Sequence, residues 1–346
     1  MPNLFSSLSL RGVTLRNRIV MSPMAMYSAG ADGLATDWHL AHYVARAVGG
    51  VGMIVCEVTA VEPRGRLTVG DLGLWDDRQV EPLARIVRLC RAQGAVMAVQ
   101  LGHAGRKAFG EHQGAGPQPI VAPSAVPFDA GWVTPQALSA AEIDTIVEAF
   151  RAAAKRADAA GFDAVEIHAA HGYLLHQFLS PLTNGRDDEY GGGLENRARL
   201  LLRVVDAVRS ALPPEKLLLV RVSATDWAPA GLTVDDTVQV ARWLKERGAD
   251  VVDCSSGGAV PTVPAHIGPG YQVPFAERVR REAGIPTVAV GLIRTPEQAE
   301  EIVFNERADL VALGRELLRH PYWPLHAARR LRQEVPWPWQ YERAKE

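Results

Sequence analysis

The chain has 346 residues, 47% hydrophobic and 22% charged, so it can bury a large core and lacks the composition of a disordered protein. Its formal net charge of −2 and its pI of about 6.6 exclude the basic field expected of a protein that binds nucleic acid or an anionic membrane. Without a signal-peptide pattern or a transmembrane stretch, we expect a cytoplasmic protein that acts on a small molecule.

Short runs rich in β-branched residues alternate along the chain with longer amphipathic segments, the pattern of βα units around a parallel sheet. The runs are 19–22, 53–57, 96–101, 164–168, 217–222, 251–254, 287–290 and 310–313. Apolar residues at three-to-four spacing predict helices over 80–93, 140–160, 195–212, 234–247, 275–283 and 296–305. Eight strands favour closure over an open doubly wound sheet, so we predict one α/β domain over 1–346, a (β/α)8 TIM barrel.

Two segments exceed the needs of a barrel. Residues 103–139, after the third strand, are rich in Gly and Pro and lack periodicity, which predicts a lid or binding loop inserted between the third strand and the helix over 140–160. The extended C-terminal tail, 336–346, carries Trp337, Trp339 and Tyr341, more apolar surface than a solvated end should expose. We therefore expect the tail to pack against its own subunit or a neighbouring one.

The three cysteines, Cys56, Cys90 and Cys254, are far apart and form no CxxC motif. An iron-sulfur cluster needs four thiolates, so this chain alone cannot hold one. We interpret Cys56 and Cys254, which lie on apolar runs, as buried structural thiols.

Glycines follow the last two strands, at the end of the barrel where such folds build their active sites. Gly291 follows the seventh strand and Gly314 the eighth, and glycine lets backbone N–H groups approach an anion. Arg315, which opens a helix, could bind the same phosphate. An ordinary tight turn with Arg315 on the surface is the alternative.

Two histidines and a tyrosine follow the fourth strand. His168 and His171 are three residues apart, a spacing that would place both rings on one side of a helical turn. As paired donors they would polarise a substrate carbonyl oxygen, and Tyr173 is near enough to deliver a proton. A zinc site would need a third ligand that the sequence does not supply convincingly, so we expect no metal. Two satisfied core histidines are the remaining alternative.

Arg221 ends the apolar fifth strand, so its guanidinium is expected to point into the barrel mouth. A buried cation needs an anionic partner. The electron-rich edge of a reduced flavin would be one such partner. A salt bridge to an acid such as Glu166 or Asp226 is the alternative.

Several motifs resemble the old yellow enzyme family. They are 17–24 (NRIVMSPM), 100–107 (QLGHAGRK), 168–175 (HAAHGYLL), 178–184 (FLSPLTN), Arg186 with 188–192 (DEYGG), and 195–197 (ENR). The resemblance runs in order from about residue 4 to about residue 343. It is closest to the short, thermophilic-like bacterial ene reductases, whose chains end in Gln-Tyr-x-Arg, here Gln340 to Arg343.

This resemblance implies a noncovalent FMN, NADPH or NADH as hydride donor, and ping-pong reduction of the activated C=C bond of enones or enals. It assigns flavin contacts to Ser22, Pro23, Met24, Ala25, Val58, Gln100, Arg221, Gly291, Gly314 and Arg315. It assigns substrate contacts to Tyr27, His168, His171 and Arg343, with Tyr173 as the candidate proton donor. It also implies a homodimer or homotetramer with contacts through the tail.

The sequence departs from the family pattern at three places. Ala25 stands where the subclass usually has cysteine, which removes a thiol from the flavin edge. Val58 stands where related sequences carry a smaller residue, and would crowd the flavin or merely pack. After Arg343 the chain reads Ala-Lys-Glu instead of ending, which weakens the expectation that Arg343 reaches a neighbouring active site.

Two other functions are compatible with a barrel of this kind. One is a flavin-free aldolase or isomerase that acts on a phosphorylated substrate. Schiff-base chemistry of that type would need a lysine at the end of a strand, and none of the five lysines has that position. The other is a noncatalytic protein that stores flavin or another small molecule, for which a mouth with many polar residues would be unnecessary.

Overall fold

A closed barrel of eight parallel strands forms the centre of the computed structural model, which describes residues 1–110, 114–261 and 267–345. Each strand pairs with the next along the chain, and β8 pairs with β1. The strands are β1 (Ile19–Met21), β2 (Met53–Ala60), β3 (Val96–Gly102), β4 (Ala164–Ala169), β5 (Leu217–Ser223), β6 (Val251–Ser255), β7 (Thr287–Ala289) and β8 (Leu310–Leu313). The predicted (β/α)8 barrel is confirmed.

Helices connect the strands and cover the barrel. They are α1 (Asp37–Val48), α2 (Val80–Arg91), α3 (Ala140–Ala159), α4 (Leu174–Leu179), α5 (Leu194–Ala211), α6 (Val234–Glu246), α7 (Val273–Ala283), α8 (Pro296–Phe304), α9 (Arg315–Arg319) and α10 (Trp323–Arg330). The six helices predicted from periodicity are all present. None of the helices in the described ranges combines the length and hydropathy of a membrane span.

Helix α1 escaped prediction because its buried face is unusually polar. His39, His42 and Arg46 all lie on that face and are less than 9% exposed. Polar residues at core positions hide the apolar repeat by which an amphipathic helix is recognised. Helix α1 packs against β2, and His39 Nε2 lies 3.4 Å from Glu57 Oε1 on that strand.

Side-chain caps fix several helix starts. Thr233 accepts a hydrogen bond from the backbone of Asp236 at the start of α6, and Thr295 does the same at the start of α8. Ser139 and Glu142 cap each other reciprocally at the start of α3. Each such cap satisfies backbone N–H groups that have no partner inside the helix.

The barrel interior changes from apolar to polar along the strands. Since successive residues of a strand point to opposite faces, the inward positions can be followed in steps of two. On β5 they are Leu217, Leu219 and Arg221, and on β4 they are Ala164, Glu166 and His168. The lower positions belong to an apolar cluster, whereas the upper ones are polar and lie at the carboxyl end.

Small structures lie outside the barrel units. A hairpin of Leu8–Leu10 and Val13–Leu15, which the sequence analysis missed, packs against the apolar cluster inside the barrel. The insertion 103–139 contains a short 3-10 helix, Gly105–Lys107, and two short strand pairs. Residues 111–113 of this insertion, and Glu346 of the tail, fall outside the described ranges. The lid function of the insertion stays a prediction.

The C-terminal tail is largely exposed. Trp339–Ala344 form a short 3-10 helix in which Trp339 is 82% exposed. Tyr341 contacts Tyr322, with ring centroids 5.9 Å apart, yet keeps 41% of its surface exposed. The tail therefore buries little of its aromatic surface within this subunit.

Cys56, Cys90 and Cys254 are buried, as predicted for Cys56 and Cys254.

Candidate active site

A cavity of about 290 Å³ opens at the carboxyl end of the barrel. Its walls come from the ends of β1, β5, β6, β7 and β8 and from the turn after β4. Among its lining residues are many that the sequence analysis selected: Ser22, Pro23, Met24, His171, Arg221, Gly291, Gly314 and Arg315. The structure thus brings together residues from six different βα units, as a barrel active site requires.

The turns after β7 and β8 form one end of the cavity. Gly291 has a φ of 128°, a conformation that other residues rarely adopt, so the backbone requires glycine there. Gly314 directly precedes α9, and the exposed Arg315 and Arg294 side chains both line this end. Two guanidinium groups beside glycine backbone suit a phosphate, because guanidinium forms charge-assisted hydrogen bonds with phosphate oxygens.

His168, His171 and Tyr173 meet beside the cavity. The ring centroids of His168 and His171 are 5.1 Å apart, and those of His168 and Tyr173 are 4.8 Å apart. His168 lies on β4, whereas His171 lies in the turn that follows and has a left-handed φ of 58°. The expected helical turn was therefore wrong, and the two rings are nearly perpendicular, at 87°.

Three contacts hold His171 in this strained turn. Its N–H donates to Ser223 Oγ at 2.9 Å, and its carbonyl oxygen accepts from Lys107 Nζ at 2.9 Å. Its ring nitrogen Nε2 lies 2.7 Å from Ser255 Oγ. Backbone and ring are thus fixed from three different strands or loops, which is what a precisely placed side chain needs.

Neither histidine is charged at neutral pH. Burial, and after it the Arg221 charge, lowers the pKa of His168 and of His171 well below the usual value of 6.5. His168 Nδ1 accepts a hydrogen bond from the Ala170 N–H at 3.3 Å, so the proton of that ring is on Nε2. Burial raises the pKa of Tyr173, which keeps its hydroxyl protonated. All three side chains can therefore donate a hydrogen bond.

Arg221 is 5% exposed and lines the cavity from β5. Its Nε lies 3.3 Å from Asp253 Oδ2 on β6. The alternative prediction of a salt bridge between Arg221 and Asp226 was wrong, because Asp226 Oδ1 lies 3.0 Å from His176 Nε2 instead. Asp253 escaped notice because the sequence alone does not give the register that pairs it with Arg221.

Gln100 and Val58 lie on neighbouring strands and are paired in register. Gln100 Nε2 donates to Glu166 Oε1 at 2.7 Å. A Cβ added to Gly102 would lie 2.6 Å from Val58 Cγ2 and 3.4 Å from His168 Cβ. Val58 and Tyr173 also pack against the same small apolar cluster, so the larger side chain at position 58 fills space near the candidate proton donor.

The segment after β1 is anchored from β2. Buried Glu57 accepts a hydrogen bond from the Met26 N–H at 2.8 Å and another from Tyr43 Oη at 3.1 Å. Ala25 is half-buried, and Tyr27 is 42% exposed with a left-handed φ of 52°. The anchor at Met26 therefore sets the position of both predicted contacts on this segment.

Seven predicted site residues are not among the described residues that line the cavity, namely Ala25, Tyr27, Val58, Gln100, His168, Tyr173 and Arg343. His168 and Tyr173 lie beside the lining residue His171, whereas Arg343 is exposed in the tail. Across the ranges that the structure describes, no three His, Cys, Asp or Glu side chains are grouped as a metal site.

The cavity residues fit FMN. Ser22 Oγ and Arg221 Nε are buried, and neither has a hydrogen-bond partner among residues 1–110, 114–261 and 267–345. Buried polar atoms of this kind normally have a partner, so both await an acceptor or donor from a bound molecule. A flavin supplies carbonyl and ring-nitrogen acceptors, and its phosphate suits the Arg315 end of the cavity.

Sequence reasoning assigned no role to the residues that hold the site together. Ser255, Lys107 and Ser223 fix His171, and Glu57 fixes the segment after β1. Their only signal in the sequence is a polar residue at or near the end of an apolar strand. The partner of each depends on the fold.

Comparison with known proteins gives consistent results. Residues 3–334 match the model of the NADH:flavin oxidoreductase / NADH oxidase family. The chain is 53% identical to an NADPH dehydrogenase of Geobacillus thermodenitrificans over 98% of both chains, and 52% identical to one of Listeria monocytogenes over 99% of both. The structure of morphinone reductase in complex with tetrahydroNAD superposes with a TM-score of 0.80 at 31% identity, covering 98% of this chain and 93% of that one.

Proposed function

The chain belongs to the NADH:flavin oxidoreductase / NADH oxidase family, and from this premise we propose that it reduces the activated C=C bond of α,β-unsaturated aldehydes and ketones. FMN is its cofactor and NADPH or NADH its hydride donor. Family membership and the NADPH dehydrogenase relatives set aside the flavin-free aldolase and the storage protein. The proposed reaction is ping-pong, with nucleotide and enone using the same mouth in turn.

FMN, when bound, supplies the group that accepts hydride from the nucleotide and passes it to the substrate. Ser22, Pro23, Met24 and Ala25 would border the flavin from β1, Val58 and Gln100 from β2 and β3, and Arg221 from β5. Gly291, Gly314 and Arg315 would hold its phosphate. Seven of these ten residues line the cavity, and two of the seven, Ser22 and Arg221, carry a buried polar atom that lacks a hydrogen-bond partner in the described chain, which supports the assignment.

The observation that carries the proposal is the convergence of three neutral donors beside the cavity, where His171 lines its wall. His168 presents Nε2–H, and His171 presents Nδ1–H in the tautomer whose Nε2 accepts from the Ser255 hydroxyl. Two donors then bind one carbonyl oxygen, where negative charge accumulates as the β carbon receives hydride. Donors fixed in a buried site stabilise that charge more in the transition state than in the ground state.

Tyr173 would complete the reaction by protonating the α carbon. Its ring lies against His168, and burial keeps its hydroxyl protonated. Lys107 Nζ lies 5.5 Å from the Tyr173 ring centroid and would help to stabilise negative charge there as the proton leaves. Tyr27, at the rim, would contact the substrate from the opposite side.

Steady-state kinetics with 2-cyclohexenone test this proposal. We expect NADPH oxidation that depends on the enone, cyclohexanone as the product, and parallel lines in double-reciprocal plots at several fixed enone concentrations. Cyclohexanone as a control substrate should give no turnover. NADPH oxidation without cyclohexanone would limit the protein to NAD(P)H oxidation, and intersecting lines would contradict the ping-pong order.

We also propose that the tail mediates a homodimer or homotetramer. Its exposed aromatic side chains, Trp339 above all, leave apolar surface that a second copy would cover. In a two-fold arrangement each Arg343 would complete the substrate pocket of the other subunit. Deletion from Trp337 onward should then weaken the oligomer in light scattering and raise the Michaelis constant for the enone, with FMN retained. An unchanged oligomer and unchanged kinetics would contradict this role.

A further inference from the structure

Four side chains form a buried polar layer across the barrel, directly above its apolar interior. Gln100, Glu166, Arg221 and Asp253 come from β3, β4, β5 and β6, and each is 5% exposed or less. The register pairs Gln100 with Glu166 and Arg221 with Asp253, and strand alternation turns all four inward. We call these four residues the ionic layer.

The ionic layer contains more negative than positive groups. Gln100 Nε2 donates to Glu166 Oε1 at 2.7 Å, and Arg221 Nε lies 3.3 Å from Asp253 Oδ2. The other oxygens, Glu166 Oε2 and Asp253 Oδ1, have no hydrogen-bond partner within the described chain. Two ionised carboxylates and one guanidinium would leave an unpaired buried negative charge, which is strongly unfavourable.

The surrounding groups do not supply the missing positive charge. His168 on β4 and His171 in the turn after it are close to Arg221, but burial and Arg221 lower the pKa of both, so they are neutral. Inward positions of the other strands are apolar, namely Val20, Met53, Val55, Val288 and Ala312. The layer therefore balances its charge by holding a proton.

The proton affinity of the two acids agrees with this conclusion. Burial, and after it the neighbouring Asp253, raises the pKa of Glu166 to about 8 against the opposing effects of Arg221 and Gln100. Burial also raises the pKa of Asp253, which Arg221 opposes. At neutral pH the two acids hold one proton between them, and Arg221 balances the charge that remains.

We propose that Glu166 and Asp253 are a buried proton store that gains a proton when the flavin is reduced at alkaline pH. The proposal rests on the function above only in that FMN is reduced beside Arg221. Hydride from NADPH brings two electrons and one proton, so it leaves one negative charge on the ring system while NADP⁺ departs. That charge at Arg221 raises the proton affinity of both acids, and a proton from solvent enters the pair.

The proton store has a measurable signature in the pH dependence of the reduction potential. At a pH where Glu166 and Asp253 hold the same number of protons before and after reduction, reduction of the flavin takes up one proton per two electrons. The pair has one pKa with oxidised flavin and a higher pKa with reduced flavin. Between these two pKa values, reduction of the flavin takes up two protons per two electrons. We expect this steeper segment to begin near pH 8, where Glu166 loses its proton in the structure.

Reduction potentials of the FMN-bound full chain, measured with reference dyes from acidic to alkaline pH, test the proposal. Wild type should show the two-proton segment. Glu166→Gln keeps an oxygen that accepts from Gln100 but cannot bind the proton. In this variant, reduction of the flavin should take up one proton per two electrons at every pH. Its reduction potential should equal that of wild type at acidic pH and should be higher than that of wild type at alkaline pH. A constant offset at every pH would indicate a merely structural role and would overturn the proposal.

Two further variants keep the test decisive if Glu166→Gln binds FMN poorly. Asp253→Asn removes the charge that raises the pKa of Glu166, so the two-proton segment should move to lower pH. Asp226→Asn is the matched control, because Asp226 is buried but pairs with His176 and Ser180 outside the layer. It should keep the wild-type segment. A wild-type profile without that segment, or an unmoved segment in Asp253→Asn, would refute the store.

This experiment is independent of the proposed enone chemistry. The potential is measured on bound FMN without any enone, so a protein that fails to reduce enones can still show the two-proton segment. Conversely, an active enone reductase with a single slope would refute only the proton store.

Discussion

The substitution His171→Ala tests the paired-donor arrangement most sharply. In the structure this ring is fixed by Ser255 at 2.7 Å and lies 5.1 Å from the His168 ring. Loss of one fixed donor to a developing oxyanion costs about 2.7–4 kcal/mol, or roughly 10²–10³-fold in rate. Since His168 Nε2–H would remain, we expect a loss near the lower limit. Hydride transfer from NADPH to the flavin should change much less, because that step places no charge on a substrate oxygen.

Anaerobic stopped-flow absorbance separates the two half-reactions. Bleaching of the flavin by NADPH reports the first, and its reoxidation by 2-cyclohexenone reports the second. His168→Ala should slow the second half-reaction similarly, and both variants should bind phenols more weakly. His171→Asn, which can still present an N–H, should recover part of the lost rate. Unchanged enone reoxidation in both alanine variants, or an equal loss in both half-reactions, would refute the reasoning.

Three further predictions concern stability and the flavin edge. Burial raises the pKa of Glu57 to about 7 from a usual 4.5, so the folded chain holds a proton there that the unfolded chain releases. Its contribution to stability is full below pH 4.5 and is lost as pH rises through 7, by roughly 3 kcal/mol at most. Urea titration of the FMN-bound protein across this pH range measures the free energy of unfolding of wild type and of Glu57→Gln. The slope of this free energy against pH should differ between the two proteins. Parallel profiles would contradict the raised pKa of Glu57. Ser139→Ala removes the cap of α3 and should cost about 1 kcal/mol in the same assay; an unchanged midpoint would mean that Glu142 or water replaces the cap. Ala25→Cys should shift the flavin reduction potential with the fold intact, and a potential unchanged within error would mean that this position does not tune the cofactor.

The barrel could be predicted because buried parallel strands are continuous β-branched runs that stand out in the sequence. The run 310–313 matches β8 at both ends, and 96–101 falls one residue short of β3. Helix α1 could not be predicted in the same way. Its core face contains His39, His42 and Arg46, whose burial depends on Glu57 and on the α9 carbonyls that contact Arg46.

The site was predictable where one residue type suffices and unpredictable where two strands must be aligned. Gly291 could be selected because a glycine follows an apolar strand, and Arg221 because a cation ends one. The partner of Arg221 could not be predicted, because Asp253 becomes its neighbour only through the register of β5 and β6. The left-handed turn at His171 depends on Ser223 and Lys107, which lie far away in the sequence.

The most direct test of the central claim is a single turnover with product analysis. The protein should purify yellow or take up FMN, be bleached by one equivalent of NADPH without oxygen, and be reoxidised by 2-cyclohexenone with one equivalent of cyclohexanone formed. Reoxidation should be slow in His168→Ala and His171→Ala. A bleached protein that returns to yellow only on admission of oxygen, with no cyclohexanone, would contradict the account.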